Sequence, residues 1–332
     1  MLPLRGALIG CGYVSQFHLE AWARQQAGRL VAVCDLDVDR ARRACAHGVC
    51  TAYADAAQLF ARERLDFVEI CTRPEAHLSL TRLAAEHGVH VLCQKPAAPS
   101  LDELREMIAV CAHSGVRLMI HENVRWRAWY TRMKEEMLRG TVGRPFRLSL
   151  FMHDQRCLQP GGLAAQPYFA RMPRLILYEI GPHAIDLARF FFGEPELLTC
   201  TTQHIGPQAG EDVATVTLTY PDRAALLDLS WATAGPHSRP EWGLHDVWLE
   251  GDAGSLHVLL DGRLRLDRTD GTSEVLPVPL GKDPLLDSYA ATQAHFLHGL
   301  ETGAAFCTDG ADTLKTMELV FAAYDAAARG GS

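Results

Sequence analysis

The chain has 332 residues, 48% of them hydrophobic and 22% charged, with a formal net charge of −8. This is the composition of a globular protein with room for two domains and a packed core. The acidic balance argues against a nucleic-acid partner, and no stretch reaches the ~18 apolar residues of a membrane span.

In chain order, the first 120 residues alternate short apolar runs with helical patterns. Strands are expected at Gly6–Gly10, Leu30–Asp35, Phe67–Cys71, His90–Cys93 and Arg117–His121. Helices are expected over Tyr13–Gln26, Asp37–Ala46, Glu75–Glu86 and Leu101–His113, the last opened by the capping box Ser100-Leu-Asp-Glu103. Strands alternating with helices mean βαβ units and a parallel sheet. After His121 the pattern changes. A helix over Trp126–Arg139 and a strand over Pro145–His153 precede a turn-rich stretch, Asp154–Arg174, and a helix over Tyr178–Phe192. Seven strand candidates follow, from Leu197–His204 to Ser273–Pro279, joined by Pro-Asp, Gly-Asp and Asp-Gly turns. Such helixless runs suggest a largely antiparallel sheet. Helices near Leu285–Glu301 and Asp309–Ala328 close the chain.

Ten cysteines include no C-x-x-C pair, and Cys34, Cys71 and Cys93 lie in apolar runs, as buried reduced thiols do. Cys45 and Cys50 could be zinc ligands, but no second close Cys/His pair completes a site, so no metal is expected. The N-terminus lacks the charged segment, apolar stretch and cleavage site of a secretory leader; a cytoplasmic protein is expected.

Gly10-Cys11-Gly12-Tyr13-Val14-Ser15 follows a strand and opens a helix, the context of a dinucleotide-binding turn. Gly10 permits the tight turn and Gly12 the close approach of a pyrophosphate; Ser15 stands at the third glycine position. Asp35 ends the second strand, at the offset of an acid that bonds a ribose 2′-OH. A carboxylate there repels a 2′-phosphate, so NAD is expected over NADP, with Arg40 and Arg42 nearby weakening the preference.

Three further stretches, "HVLCQKPAAPS" (His90–Ser100), "CTRPEAHLSL" (Cys71–Leu80) and "EIGPHAIDLARFFFGEP" (Glu179–Pro195), complete a pattern that resembles the Gfo/Idh/MocA oxidoreductases, relatives of glucose–fructose oxidoreductase and myo-inositol dehydrogenase. The resemblance runs over nearly the whole chain. It implies an α/β protein with an N-terminal Rossmann domain, residues 1–122, with a parallel sheet. A C-terminal α/β domain, residues 123–332, would carry a large, mostly antiparallel open sheet and the substrate and oligomer contacts. The C-terminal helix can then pack back on the Rossmann domain.

The implied activity is hydride transfer between NAD and a hydroxyl carbon of a sugar, aldose or cyclitol, in a homo-oligomer, dimer or tetramer. Gln94-Lys95-Pro96 stands where the family has Glu-Lys-Pro, and Glu179-Ile-Gly-Pro-His183 where it has D-x-x-x-H. Lys95, His183 and Glu179 are therefore the expected catalytic residues. Gly10, Gly12, Tyr13, Val14, Asp35, Thr72, Gln94 and Lys95 are the expected cofactor contacts. Lys95, Asn123, Arg125, Tyr168, Glu179 and His183 are the expected substrate contacts. Chemistry asks for these groups independently: a neutral imidazole takes the hydroxyl proton, and an ammonium stabilises the developing alkoxide. Asp186 could orient His183, line the pocket or be buried structurally, and His77 reads as a packing or hydrogen-bonding residue. Two other functions fit the same frame: a glycosidase or epimerase-like enzyme that retains its NAD, and a non-catalytic dinucleotide-binding regulator.

Overall fold

The computed structural model describes residues 2–45, 50–234, 238–239 and 244–330. The chain divides into two compact units, residues 1–123 with 286–317, and residues 124–285 with 318–332.

The first unit contains β1 (Leu4–Ile9), α1 (Ser15–Trp22), β2 (Gly28–Cys34), α2 (Val38–Cys45), β3 (Thr51–Tyr53), α3 (Ala56–Arg62), β4 (Phe67–Ile70), α4 (His77–Glu86), β5 (His90–Gln94), α5 (Leu101–His113) and β6 (Leu118–His121). The six strands are parallel in the order β3-β2-β1-β4-β5-β6. This is the doubly wound dinucleotide-binding order, with the switch point between β1 and β4. β3 and α3 were not anticipated from the sequence. Thr-Ala-Tyr is too short an edge strand to show a period, although Asp55 caps α3 by accepting from the Gln58 N–H at 2.8 Å. The expected end of α2 at Ala46 lies outside the described residues.

Cys45 and Cys50, considered as zinc ligands from the sequence, are instead joined to each other by a disulfide. They stand either side of one short connection, with Cα atoms 5.5 Å apart, within disulfide reach. The core of this unit runs from Leu8, Trp22 and Phe67 to Phe296, Leu297 and Phe306 of the returning C-terminal segment. Trp22 stacks on Phe67 with ring centroids 4.7 Å apart, and Phe67 meets Phe296 edge to face. At the outer edge of the sheet the Ile120 N–H donates to Thr308 O at 2.8 Å, and Thr308 Oγ1 donates to Ile120 O.

The second unit begins with a 3₁₀ turn, Val124–Trp126, followed by α6 (Ala128–Leu138), β7 (Pro145–His153), α7 (Ile176–Glu179) and α8 (Gly181–Phe192). The expected single helix over Tyr178–Phe192 is thus two pieces: Pro182 sits in the first turn of α8 and opens a new helix. The sheet strands are β8 (Leu197–Gln203), β9 (Val213–Thr219), β10 (Ala224–Ser230), β11 (Ser238–Arg239), β12 (Leu244–Gly251), β13 (Gly254–Val258), β14 (Leu264–Arg268) and β15 (Ser273–Leu276). Their order is β15-β14-β13-β12-β7-β10-β9-β8, with β11 beside β12. Only the β7–β10 pair in that order is parallel. Alternate residues are buried, among them Leu148, Leu150, Val216, Leu227, Val247, Leu249 and Leu256, and α7 and α8 pack against β7, β9 and β10. Helices α9 (Pro284–Thr302) and α10 (Gly310–Gly330) end the chain, each divided between the units. No helix among the described residues is long and apolar enough to cross a membrane.

Candidate functional site

In the first unit the turn after β1 is built for a close ligand. Gly10 has φ +98°, and a Cβ there would lie 2.7 Å from the Cys71 carbonyl carbon, so only glycine fits. A Cβ on Gly12 would meet nothing within 4 Å, which leaves the backbone approachable. Ser15 Oγ donates to Gly12 O at 2.6 Å and pins the turn in place of a third glycine. Val14 makes no side-chain cap to α1 and the first turn holds no acid, so no carboxylate competes for an anion at this helix start.

Asp35 is oriented by the backbone: Oδ2 accepts from the Cys11 N–H at 2.7 Å and Oδ1 from the Asp37 N–H at 2.9 Å. Each oxygen keeps a second lone pair for a ribose hydroxyl. Arg40 pairs with Asp37 and Arg42 with Asp39 at the surface. Burial, then the Asp35 charge, pushes the Cys11 thiol up to about 12, so it stays protonated. These residues fit a dinucleotide. Tyr13 is 49% exposed beside the turn, its ring edge-on to Phe17.

Thr72 and Lys95 follow the ends of β4 and β5, where open parallel sheets take ligands. Buried His77 ties the two ends together, with Nε2 3.0 Å from Thr72 O and Nδ1 3.0 Å from Ala97 O. Burial holds its pKa below the ordinary histidine value against those two hydrogen bonds. Gln94 is 8% exposed and turns inward, bonded to His18 and to the Lys95 N–H. Asn123 is buried with Nδ2 donating to Ser288 Oγ at 2.8 Å.

In the second unit, a cleft of about 160 Å³ is lined mainly by residues from four places. The sheet register brings the ends of β7 and β10 beside the start of β12, since His153 pairs with Ser230 and Asp246 with Phe151. Those ends supply His153, Trp231 and His245; the chain after β7 adds Asp154 and Arg156. The 3₁₀ turn supplies Val124 and, just past it, Arg127, while the break before α8 supplies Ile180 and His183. His183 is the third residue of α8 and partly exposed. Arg156 lies over the Trp231 ring and is held by Asp154 through Nε at 2.9 Å and Nη2 at 2.5 Å. His245 is pushed well below the usual histidine pKa by burial first, then by Arg127 and His183, and stays neutral. The cleft offers a neutral imidazole, two guanidinium groups and a flat indole face. Hydroxyl-rich ligands use such donors and apolar surfaces.

Of the substrate residues expected from the sequence, His183 lines this cleft; Arg125, Tyr168 and Glu179 do not. Arg125 is paired with Asp186 through two hydrogen bonds. Tyr168 Oη accepts from Gln166 Nε2 at 2.8 Å. Glu179 is 5% exposed at the end of α7, whose start is held by Glu211 Oε1 accepting from the Leu175 and Leu177 N–H groups. Arg127, His153, Arg156, Trp231 and His245 were missed. They sit at strand ends and in turns with no shared spacing, and the register that gathers them is a property of the sheet.

Residues 4–122 match the family model described as an oxidoreductase family with an NAD-binding Rossmann fold, and residues 130–257 match the GFO/IDH/MocA C-terminal domain. The chain is 37% identical to D-apiose dehydrogenase of Paraburkholderia graminis, over 98% of this chain and 88% of that one. It is 36% identical to D-apiose dehydrogenase of Rhizobium rhizogenes, over 99% and 97%. Among solved structures, an oxidoreductase from Agrobacterium radiobacter in complex with NAD+, L-tartaric acid and magnesium superposes with a TM-score of 0.90 at 32% identity, covering 98% of this chain and 97% of that one.

Proposed function

The chain belongs to the Gfo/Idh/MocA oxidoreductase family, an NAD-binding sugar dehydrogenase in fold and kinship, and from that premise we propose that it oxidises a D-apiose-like aldose at a hydroxyl carbon. The observation that carries the reading is His183 on the first turn of α8, lining one cleft with Arg127, Arg156, His245 and Trp231. Bound NAD supplies the hydride acceptor. His183, as a neutral imidazole, takes the hydroxyl proton as general base. Lys95 stabilises the oxygen as it gains negative charge. Glu179 is buried one turn before His183 and supports it, while Arg127, His153, His245 and Trp231 orient the sugar. Asp35 receives the adenosine ribose and selects NAD over NADP. The relatives named for D-apiose support the choice of an aldose over a cyclitol.

The test follows NADH absorbance with D-apiose, other aldoses and inositols. Steady reduction with D-apiose is expected, with kcat falling by about 10²–10⁴ in His183→Asn and in Lys95→Met. Full activity in either variant removes that residue from the mechanism. Tightly held NAD without turnover of added NAD points instead to an enzyme that oxidises its substrate only transiently.

A further inference from the structure

At the end of β5 a run of hydrogen bonds can be assigned direction by direction. The Lys95 N–H donates to Gln94 Oε1 at 2.6 Å. A backbone N–H is a donor only, so it fixes the carboxamide with its oxygen toward Lys95 and its nitrogen toward His18. Gln94 Nε2 lies 2.7 Å from His18 Nε2. The amide nitrogen can only donate, so His18 Nε2 accepts and the imidazole carries its proton on Nδ1. His18 Nδ1 then donates to Glu69 Oε1, 2.7 Å away. The other carboxylate oxygen accepts from Trp22 Nε1 and, at 3.3 Å, from Gln293 Nε2. His18 and Glu69 are fully buried, and every member of the run belongs to the first unit.

We propose that Gln94 is a positioning residue: it ties the Lys95 backbone to buried Glu69 through His18, held as its Nδ1–H tautomer, and so fixes the point from which the Lys95 side chain extends. The inference rests on the reading of Lys95 as a catalytic residue. Glutamine supplies, without charge, both an acceptor for the Lys95 N–H and a donor to His18 Nε2; the ionised carboxylate that the family carries here supplies only the acceptor. A carboxylate at position 94 would accept from both sides and draw a proton onto His18 Nε2. With Nδ1–H still required by Glu69, the buried ring would become an imidazolium. A methionine would remove both the acceptor for the Lys95 N–H and the donor to His18 Nε2.

His18, Glu69 and His121 also bring ligand atoms within 4.8 Å of one another, as a metal site would. The assigned directions weigh against that use. The Nδ1 of His18 that faces Glu69 bears a proton, and its lone pair is on Nε2, facing Gln94. His121 instead packs its ring on His18 and Tyr289, with centroids 4.4 and 5.1 Å away.

Two measurements on the full-length holoenzyme test this. Histidine-selective ¹⁵N NMR is expected to show His18 protonated at Nδ1 and bare at Nε2, and protonated at both nitrogens at pH 7 in Gln94→Glu. A kinetic cycle is expected to show Gln94→Met lowering kcat by about 10–100-fold with little change in the KM for NAD. In a Lys95→Met background the same change should have no further effect. A bare Nδ1 in the wild type, or kcat losses that multiply in the double variant, overturns the proposal. So does a stoichiometric metal ion that is lost in Glu69→Gln. If Lys95→Met retains wild-type kcat, the assignment of Lys95 fails while the NMR still decides the hydrogen-bond run. If Gln94→Met does not fold, Gln94→Glu, which keeps the size and polarity, carries the test.

Discussion

Arg125 and Asp186 hold each other through two hydrogen bonds, Nε to Oδ2 at 2.9 Å and Nη2 to Oδ1 at 2.5 Å, with only 11% and 3% of their side chains exposed. The pair ties the 3₁₀ turn that follows the first unit to α8, one helical turn beyond His183. Breaking one half of a buried ion pair leaves the other charge poorly compensated, at a cost of about 3–5 kcal/mol. Asp186→Asn is expected at the lower end of that range by urea denaturation, with the order of preference among sugars unchanged. Arg125→Met with Asp186→Leu should recover most of the stability, because no buried charge remains. A changed sugar preference in Asp186→Asn would return Arg125 to the substrate contacts.

The two glycines of the nucleotide turn should separate folding from binding. Gly10→Ala meets both a positive φ and a backbone carbon at 2.7 Å, so a loss of several kcal/mol in stability is expected. Gly12→Ala meets nothing in the protein and should fold with an unchanged melting temperature. Its defect should be in NAD affinity, read by fluorescence titration, because the new methyl occupies the approach to the pyrophosphate.

Asp35→Asn keeps one acceptor oxygen for the Cys11 or Asp37 N–H and removes the charge. The expected result is a rise in the KM for NAD with a fall in the KM for NADP, as the repulsion of a 2′-phosphate disappears. An unchanged ratio of the two constants would show that Asp35 only holds the turn.

Stability should fall on the acid side. Burial pushes the His121 pKa down to about 3, so between pH 6.5 and about 3 the unfolded chain binds a proton that the folded one refuses. The unfolded state gains protons there, and stability decreases by about 1.4 kcal/mol per pH unit for this group alone. Denaturant midpoints at pH 7, 6 and 5 should show a shallower decline in His121→Gln than in the wild type. Parallel slopes would mean that other groups dominate the acid response.

The parallel and antiparallel halves were legible because a βαβ alternation and a run of helixless strands are local patterns, written into successive residues. The nucleotide turn was legible for the same reason: Gly10, Gly12 and Asp35 sit at fixed distances along one unit. His183 could be found from its motif. The rest of the cleft could not, because His153, Trp231 and His245 become neighbours only through the pairing of β7 with β10 and β12. Arg125 was assigned to substrate because the family commonly has an Asn and an Arg after the last parallel strand; its pairing with Asp186, 61 residues away, is a contact no local pattern announces. Glu69 was passed over inside an apolar strand. A carboxylate in a strand covered on both sides must have buried donors, and searching for them would have pointed to His18 and Trp22.

The first unit is encoded in two places, residues 1–123 and 286–317, and this has a consequence during synthesis. At ribosomal rates of about 5–20 residues per second, the intervening 124–285 stretch takes roughly 10–30 s to emerge. Throughout that interval Phe67 waits for Phe296, and the outer edge of β6 waits for Thr308. An open strand edge beside bare aromatic surface is a template for joining another nascent chain. The first 123 codons therefore specify a nucleotide-binding fold that only codons 286–317 can close, and a gene cut at codon 123 should yield inclusion bodies rather than a portable NAD module.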